Sequence, residues 1–122
     1  MIWDWAFAFE ILPQLARAAI ITVEATILGF ILAAVLGLGL AIIRIAMPRS
    51  DIVVSVLVEL IRSTPLLIQI FFLYFVLPKF GLVLEAFTAG LLAIGIHYAA
   101  YCSEVYRSGF DNIPRGQWEA SI

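Results

Sequence analysis

The sequence predicts an all-α fold, a polytopic transmembrane helical bundle, from three observations. Hydrophobic residues make up 64% of the chain and charged residues only 13%, against roughly half and about a quarter in soluble domains. The apolar residues fall in three blocks, each at least as long as the ~20 residues a helix needs to cross a bilayer. Arg44 and Arg49 follow the first block, and Arg107 and Arg115 follow the third, as expected of loops on one side of a membrane. A net charge of −2 without a basic patch leaves nucleic acid out as a partner.

The first fourteen residues read as an outer interfacial segment. Trp3, Trp5, Phe7 and Phe9 alternate with Asp4 and Glu10 there, and aromatic rings favour the membrane–water boundary. No basic residue precedes the first apolar run, so the run reads as an uncleaved span rather than a secretory signal. Pro13 marks the entrance to span one, residues 15–43. This span carries a small residue at every fourth place: Ala25, Gly29, Ala33, Gly37 and Ala41. Lipid gives helices no hydrophobic reason to associate, so small residues that admit a close neighbour mark the packing face. The stripe predicts a tight helix contact, within the subunit or across a dimer. Arg17 and Glu24 are expected to snorkel to the interface.

Span two covers residues 53–77, and Glu59, Arg62, Ser63, Thr64 and Pro65 interrupt it. Pro65 removes a helical hydrogen bond and predicts a kink or a restart. Glu59 and Arg62, three residues apart, can neutralise each other, where a lone mid-membrane charge costs about 2.5–3.5 kcal/mol. Gln69 lies nearer the midplane, lining a path or bonding a neighbouring helix. Pro78 to Gly81 form the outer turn, with Lys79 the basic residue on that side.

Span three covers residues 82–106. His97, Tyr101 and Glu104 recur at steps of four and three and share a face, which needs a protein or water neighbour. His97 reads as a hydrogen-bonding residue to a partner helix. Glu104 reads as an acceptor for an ammonium group in transit, with pairing to Arg107 as the structural alternative. Gln69, Tyr101 and Glu104 are the candidate path residues. Three crossings put the N-terminus outside and residue 122 in the cytoplasm. Cys102 has no internal disulfide partner and reads as a small packing residue.

No phosphate-binding loop, zinc-protease motif or Cys/His metal spacing occurs, and no serine has a base arranged beside it. The chain is therefore not expected to be an enzyme, to bind a metal or to hold a cofactor.

After span three comes the long polar run, residues 107–122. Asp111 and Asn112 are candidate caps of a new helix, Pro114 suits its first turn, and Gly116 admits a neighbouring backbone. The run Ile113-Pro114-Arg115-Gly116-Gln117-Trp118-Glu119-Ala120-Ser121 resembles the start of the "EAA" loop of ABC importer permeases. It is most similar to the polar amino acid permeases, which read Ile-Pro-x-Gly-Gln-x-Glu-Ala-Ala; Ser121 stands where that family carries Ala. Glu59-Leu60-Ile61-Arg62-Ser63-Thr64-Pro65-Leu66-Leu67 is similar to the family's Glu-x-x-Arg-Gly-Thr-Pro-Leu-Leu. Ala100-Tyr101-Cys102-Ser103-Glu104-Val105-Tyr106-Arg107-Ser108 is similar to its Ala-Tyr-x-x-Glu-x-x-Arg-Gly.

The resemblance implies the ABC importer permease fold, with three of about five spans in these residues, so the sequence is expected to be the N-terminal part of a longer permease in the cell (inner) membrane. It implies cytoplasmic ABC ATPase subunits that bind the ATP, a periplasmic or extracellular substrate-binding protein, and a second permease subunit in a homo- or heterodimer. Pro114, Arg115, Gly116, Gln117, Glu119 and Ala120 are then the ATPase-coupling residues. Two other readings remain open: a three-span scaffold without transport activity, and an ABC permease for a different small solute. ATPase binding by residues 107–122 separates the scaffold from the permeases.

Overall fold

The computed structural model describes residues 4–114 and 116–117. Helix α1 spans Trp5–Ala46, α2 Pro48–Ser63, α3 Leu66–Phe71 and α4 Ala86–Asp111. A π-helical turn, Phe72–Val76, and a 3₁₀ turn, Leu77–Phe80, extend α3.

Asp4 starts α1, its Oδ1 accepting from the backbone N–H of Ala6 at 2.9 Å and of Phe7 at 3.2 Å. From there the helix runs on through Pro13 without a break. Proline's fixed φ is itself helical, and here it removes only one bond of a 42-residue helix. At ~1.5 Å per residue, α1 is about 63 Å long, twice the ~30 Å hydrocarbon core. Thr22 and Thr26 donate to the Ala18 and Thr22 carbonyls at 2.9 and 2.7 Å, so their hydroxyls are satisfied along an apolar surface.

The core is a seam between α1 and α4 made of small residues. Gly29, Ala33, Gly37 and Ala41 are buried on α1, facing an α4 surface that buries Ala89, Ala93, Ala99, Ala100 and Ser103. Ala25, at the start of the stripe, is half-buried. Cys102 sits in this seam: a Cβ on Gly37 would fall 2.6 Å from the Cys102 Cβ and 2.9 Å from the Ala99 carbonyl oxygen. At Gly95 the missing side chain makes room for Leu32. Large apolar side chains point outward instead; Phe30 is 68% exposed and Val35 64%. A chain that buries alanine and exposes phenylalanine is built for an apolar solvent.

Two helices, α1 and α4, are long and apolar enough to cross a membrane. The third candidate is the pair Asp51–Ser63 and Leu66–Phe80, whose axes differ by 98°. The expected kink is thus a sharp bend. A residue before proline is pushed out of the α region, and Thr64 accordingly lies at φ −92°, ψ 126°. Pro65 follows at ψ 136°, so two extended residues in succession redirect the chain. Thr64 Oγ1 donates to the Leu60 carbonyl at 2.7 Å, and Gln69 Nε2 to the Ile61 and Thr64 carbonyls at 2.8 and 3.3 Å. These bonds satisfy the carbonyls that end α2.

Gly81 closes the outer turn at φ +88°, a conformation that favours glycine. Residues 82–85 are not helical, and α4 begins at Ala86, later than the sequence suggests. It also continues further, to Asp111.

The seam gives a direct test. Gly37→Ala pushes a methyl group into the α4 backbone and is expected to destabilise the bundle by about 1–3 kcal/mol. Gly39 has nothing within 4 Å of its Cβ position, so Gly39→Ala should hold or raise stability, alanine being the better helix former. Thermal unfolding of the two variants in detergent measures the contrast.

Candidate functional site

Arg44 continues the small-residue stripe three residues past Ala41 and so lies on the same buried face of α1. It is only 6% exposed. Nε donates to Asp51 Oδ1 at 2.8 Å, Nη1 to Glu104 Oε1 at 2.6 Å, and Nη2 to Ser55 Oγ at 2.8 Å. Ser55 in turn donates to Asp51 Oδ1 at 3.3 Å. One guanidinium therefore joins the end of α1, the first half of α2 and the last third of α4. Arg107 adds a looser layer, 3.5 Å from Asp51 Oδ1 and 3.7 Å from Asp111 Oδ2. A fork of charge-assisted bonds is the strongest polar linkage a side chain makes.

Glu104 thus pairs with Arg44 across the seam; Arg107 turns to Asp51 and Asp111. Sequence reasoning placed Arg44 only among the loop basics and missed Asp51 and Ser55. The available signal was the register of Arg44 with the stripe.

A second polar group lies between α2 and α4. His97 is buried at 9% exposure, with its ring 5.2 Å from Tyr98 and 5.3 Å from Tyr101. Its Nδ1 has no hydrogen-bond partner among the described residues. The Arg62 guanidinium carbon stands 5.1 Å from the centre of the Tyr101 ring. Its contact with Glu59 is loose, at 3.8 Å, and Glu59 is largely exposed. Gln69 turns inward to the break, and its Oε1 is buried without a partner among the described residues.

Two apolar grooves flank these groups. One, of about 680 Å³, runs along Leu57, Leu60, Thr64, Gln69, Phe72 and Ile96. The other, of about 780 Å³, lies beside the seam along Thr22, Thr26, Phe30, Leu66, Ile94 and Tyr98. No cluster of three or more His, Cys, Asp or Glu residues able to hold a metal occurs among the described residues.

At the end of α4, Asp111 is the last helical residue and Asn112 closes the helix, its Nδ2 donating to the Ser108 carbonyl at 2.7 Å. These two residues finish α4, where the sequence suggested caps for a following helix. Gly116 and Gln117 are helical again, with the Gln117 N–H bonded to the Pro114 carbonyl at 2.9 Å. Pro114, Gly116 and Gln117 are exposed. Arg115, Glu119 and Ala120 lie outside the described residues.

The Arg44 cluster predicts an asymmetric cost. Arg44→Met leaves Glu104 without its cation and Asp51 with only the looser Arg107. Breaking a fully buried pair costs roughly 3–5 kcal/mol; both carboxylates here reach solvent in part, so about 2–3 kcal/mol is expected. Glu59→Ala, in a loose exposed pair, should cost less than about 1 kcal/mol. Thermal inactivation of the two variants compares them.

Comparison with known proteins agrees with this architecture. The family described as a binding-protein-dependent transport system inner membrane component matches residues 33–122. A protein of Sinorhizobium fredii described as a probable amino-acid ABC transporter permease is 48% identical over 97% of this chain and 52% of its own length. The L-cystine transport system permease TcyB of Bacillus subtilis is 38% identical over 88% of this chain and 47% of its own. The chain therefore spans about half the length of these relatives. A crystal structure described as an amino acid ABC transporter with histidines superposes with a TM-score of 0.87 at 33% identity, over 99% of this chain and 57% of that one. With about three-quarters of its residues matched, the chain belongs to the family of binding-protein-dependent transport system inner membrane components.

Proposed function

We propose that the chain forms part of the permease of an ATP-driven importer for amino acids. Its relatives include permeases named for L-cystine, glutamine and arginine, so a small zwitterion is the common substrate class. In this reading the polar run after α4 docks on a cytoplasmic ABC ATPase pair. An external binding protein delivers the substrate, and a second permease subunit completes the path. Arg44 and Arg107 both reach Asp51, which supports a single basic end of the bundle. The positive-inside rule assigns that end to the cytoplasm, with Asp4 and Lys79 outside.

The observation that carries the coupling reading is the linkage at that end. Arg107 and Asp111 lie a few residues before the exposed Pro114, Gly116 and Gln117, and Arg107 is joined through Asp51 to Arg44. Force applied there by closure of the ATPase dimer passes along α4 and, through these ion pairs, to α1 and α2. The bundle is then a two-state element biased by a partner's binding energy. The chain itself binds no ATP in this scheme. Of the candidate path residues, Gln69 lines a groove while bonding across the helix break, Glu104 pairs with Arg44, and Tyr101 stands against Arg62.

Glu119→Lys is expected to cut recovery of the ATPase with the permease from membranes by at least about tenfold, a buried charge reversal at an interface costing several kcal/mol, while membrane insertion is unchanged. Equal recovery of the ATPase would remove the coupling role of this run.

A further inference from the structure

Arg62 carries its charge at the end of α2 without a close acceptor among the described residues. The nearest carboxylate oxygen, on Glu59, is 3.8 Å away, well beyond the ~2.7–2.9 Å of a charge-assisted hydrogen bond. What holds the guanidinium is the Tyr101 ring, 5.1 Å away. A ring contact fixes a cation without using its N–H donors as a carboxylate does. Arg62 is therefore positioned, charged and still able to form a bidentate pair. In contrast, all three Arg44 guanidinium nitrogens already donate to Asp51, Glu104 and Ser55 oxygens.

A second observation points to the same place. His97, with its ring 5.3 Å from that of Tyr101, is buried with Nδ1 unpartnered among the described residues. Buried polar atoms nearly always have a partner, so this cluster lacks a polar group that the described residues do not supply.

We propose that Arg62, positioned by Tyr101, binds the α-carboxylate of the amino acid in transit. The planar fork of arginine matches a carboxylate in a way lysine does not. Glu59, loosely held at i−3, keeps the charge partly compensated when no substrate is present, and the substrate carboxylate takes its place on binding. Tyr101 acts as a positioning residue. The assignment rests on the amino-acid permease reading and adds to it the group that recognises the acid end of the substrate.

The test uses the assembled permease–ATPase complex, purified without its external binding protein. It is titrated with the standard L-amino acids and L-cystine, then with the α-carboxamide of the tightest binder. Uptake is followed separately in proteoliposomes with the binding protein present. Wild type should prefer the acid over its amide by about 10- to 100-fold, the range for a hydrogen bond to a charged group. R62Q should lose that preference and R62K keep part of it. Y101F should retain it, and Y101L should lose part. Should R62Q fail to assemble, Y101L and R62K decide: an undiminished preference in both overturns the assignment. Undiminished preference in an assembled R62Q also overturns it. A wild-type complex that transports amino acids but binds none, or binds acid and amide alike, overturns the Arg62 assignment and leaves the permease reading standing. A complex that transports no amino acid overturns both.

Discussion

At Gly37 the α1 and α4 backbones come so near that a methyl group would fall 2.9 Å from a carbonyl oxygen of the opposite helix. In water two helices are driven together by their apolar faces; in lipid only the closeness of the fit holds them. That closeness fixes the axial register of α1 against α4. The register, in turn, sets the Arg44 guanidinium 2.6 Å from the Glu104 carboxylate. A separation larger by one methyl group would lengthen that bond past the distance at which it offsets the desolvation of both charges. Small residues in the seam and charged residues at its end are therefore one device.

The charged end has a consequence for the chain's ordering. Arg44 and Asp51 are close in sequence, but Glu104 is sixty residues from Arg44. Helix α2 must fold back and α4 must be seated before the guanidinium has its three acceptors. Until then, a cation at the end of a hydrophobic helix stays at the interface, where its long stem reaches water. The buried arrangement thus reports that the three helices have assembled. It links α4 to its neighbours just before the chain leaves the bundle at Asn112.

Local features were the most legible in the sequence. The small-residue stripe of α1 and the break at Pro65 are read from neighbours on one helix; Gly29, Ala33, Gly37 and Ala41 are buried, and the chain bends beside Pro65. Arg44 read as a loop basic because its burial depends on two helices folding around it. The bend at Pro65 could be placed but not measured, since its 98° depends on the extended backbone of both Thr64 and Pro65, with Gln69 reaching back across the gap to the Ile61 and Thr64 carbonyls. Asp111 and Asn112 suit the start of one helix as well as the end of another. The Asn112 bond to the Ser108 carbonyl decides for the end. The run with the most specific resemblance lies partly beyond the described residues, so its reading stays with the sequence and the family.

The two halves of the bundle differ in what a displacement would break. Shifting α1 against α4 opens the seam and strips Arg44 of an acceptor on another helix. At the α2–α3 break, the side-chain hydrogen bonds all stay within residues 60–69. The π turn that follows is a register slip of the helical ladder, and the Arg62–Tyr101 contact, though it does tie the break to α4, is one of the less directional polar interactions. An element whose bonds are internal can tilt on its neighbour without orphaning a donor or acceptor. Helices α1 and α4, with α2 tied to them through Asp51 and Ser55, are accordingly the frame, and α3 beyond the break is the part that can change its angle to that frame at small cost. The Arg44 cluster holds the far end of α2 to the frame, and Thr64 and Gln69 of the break line the groove beside it.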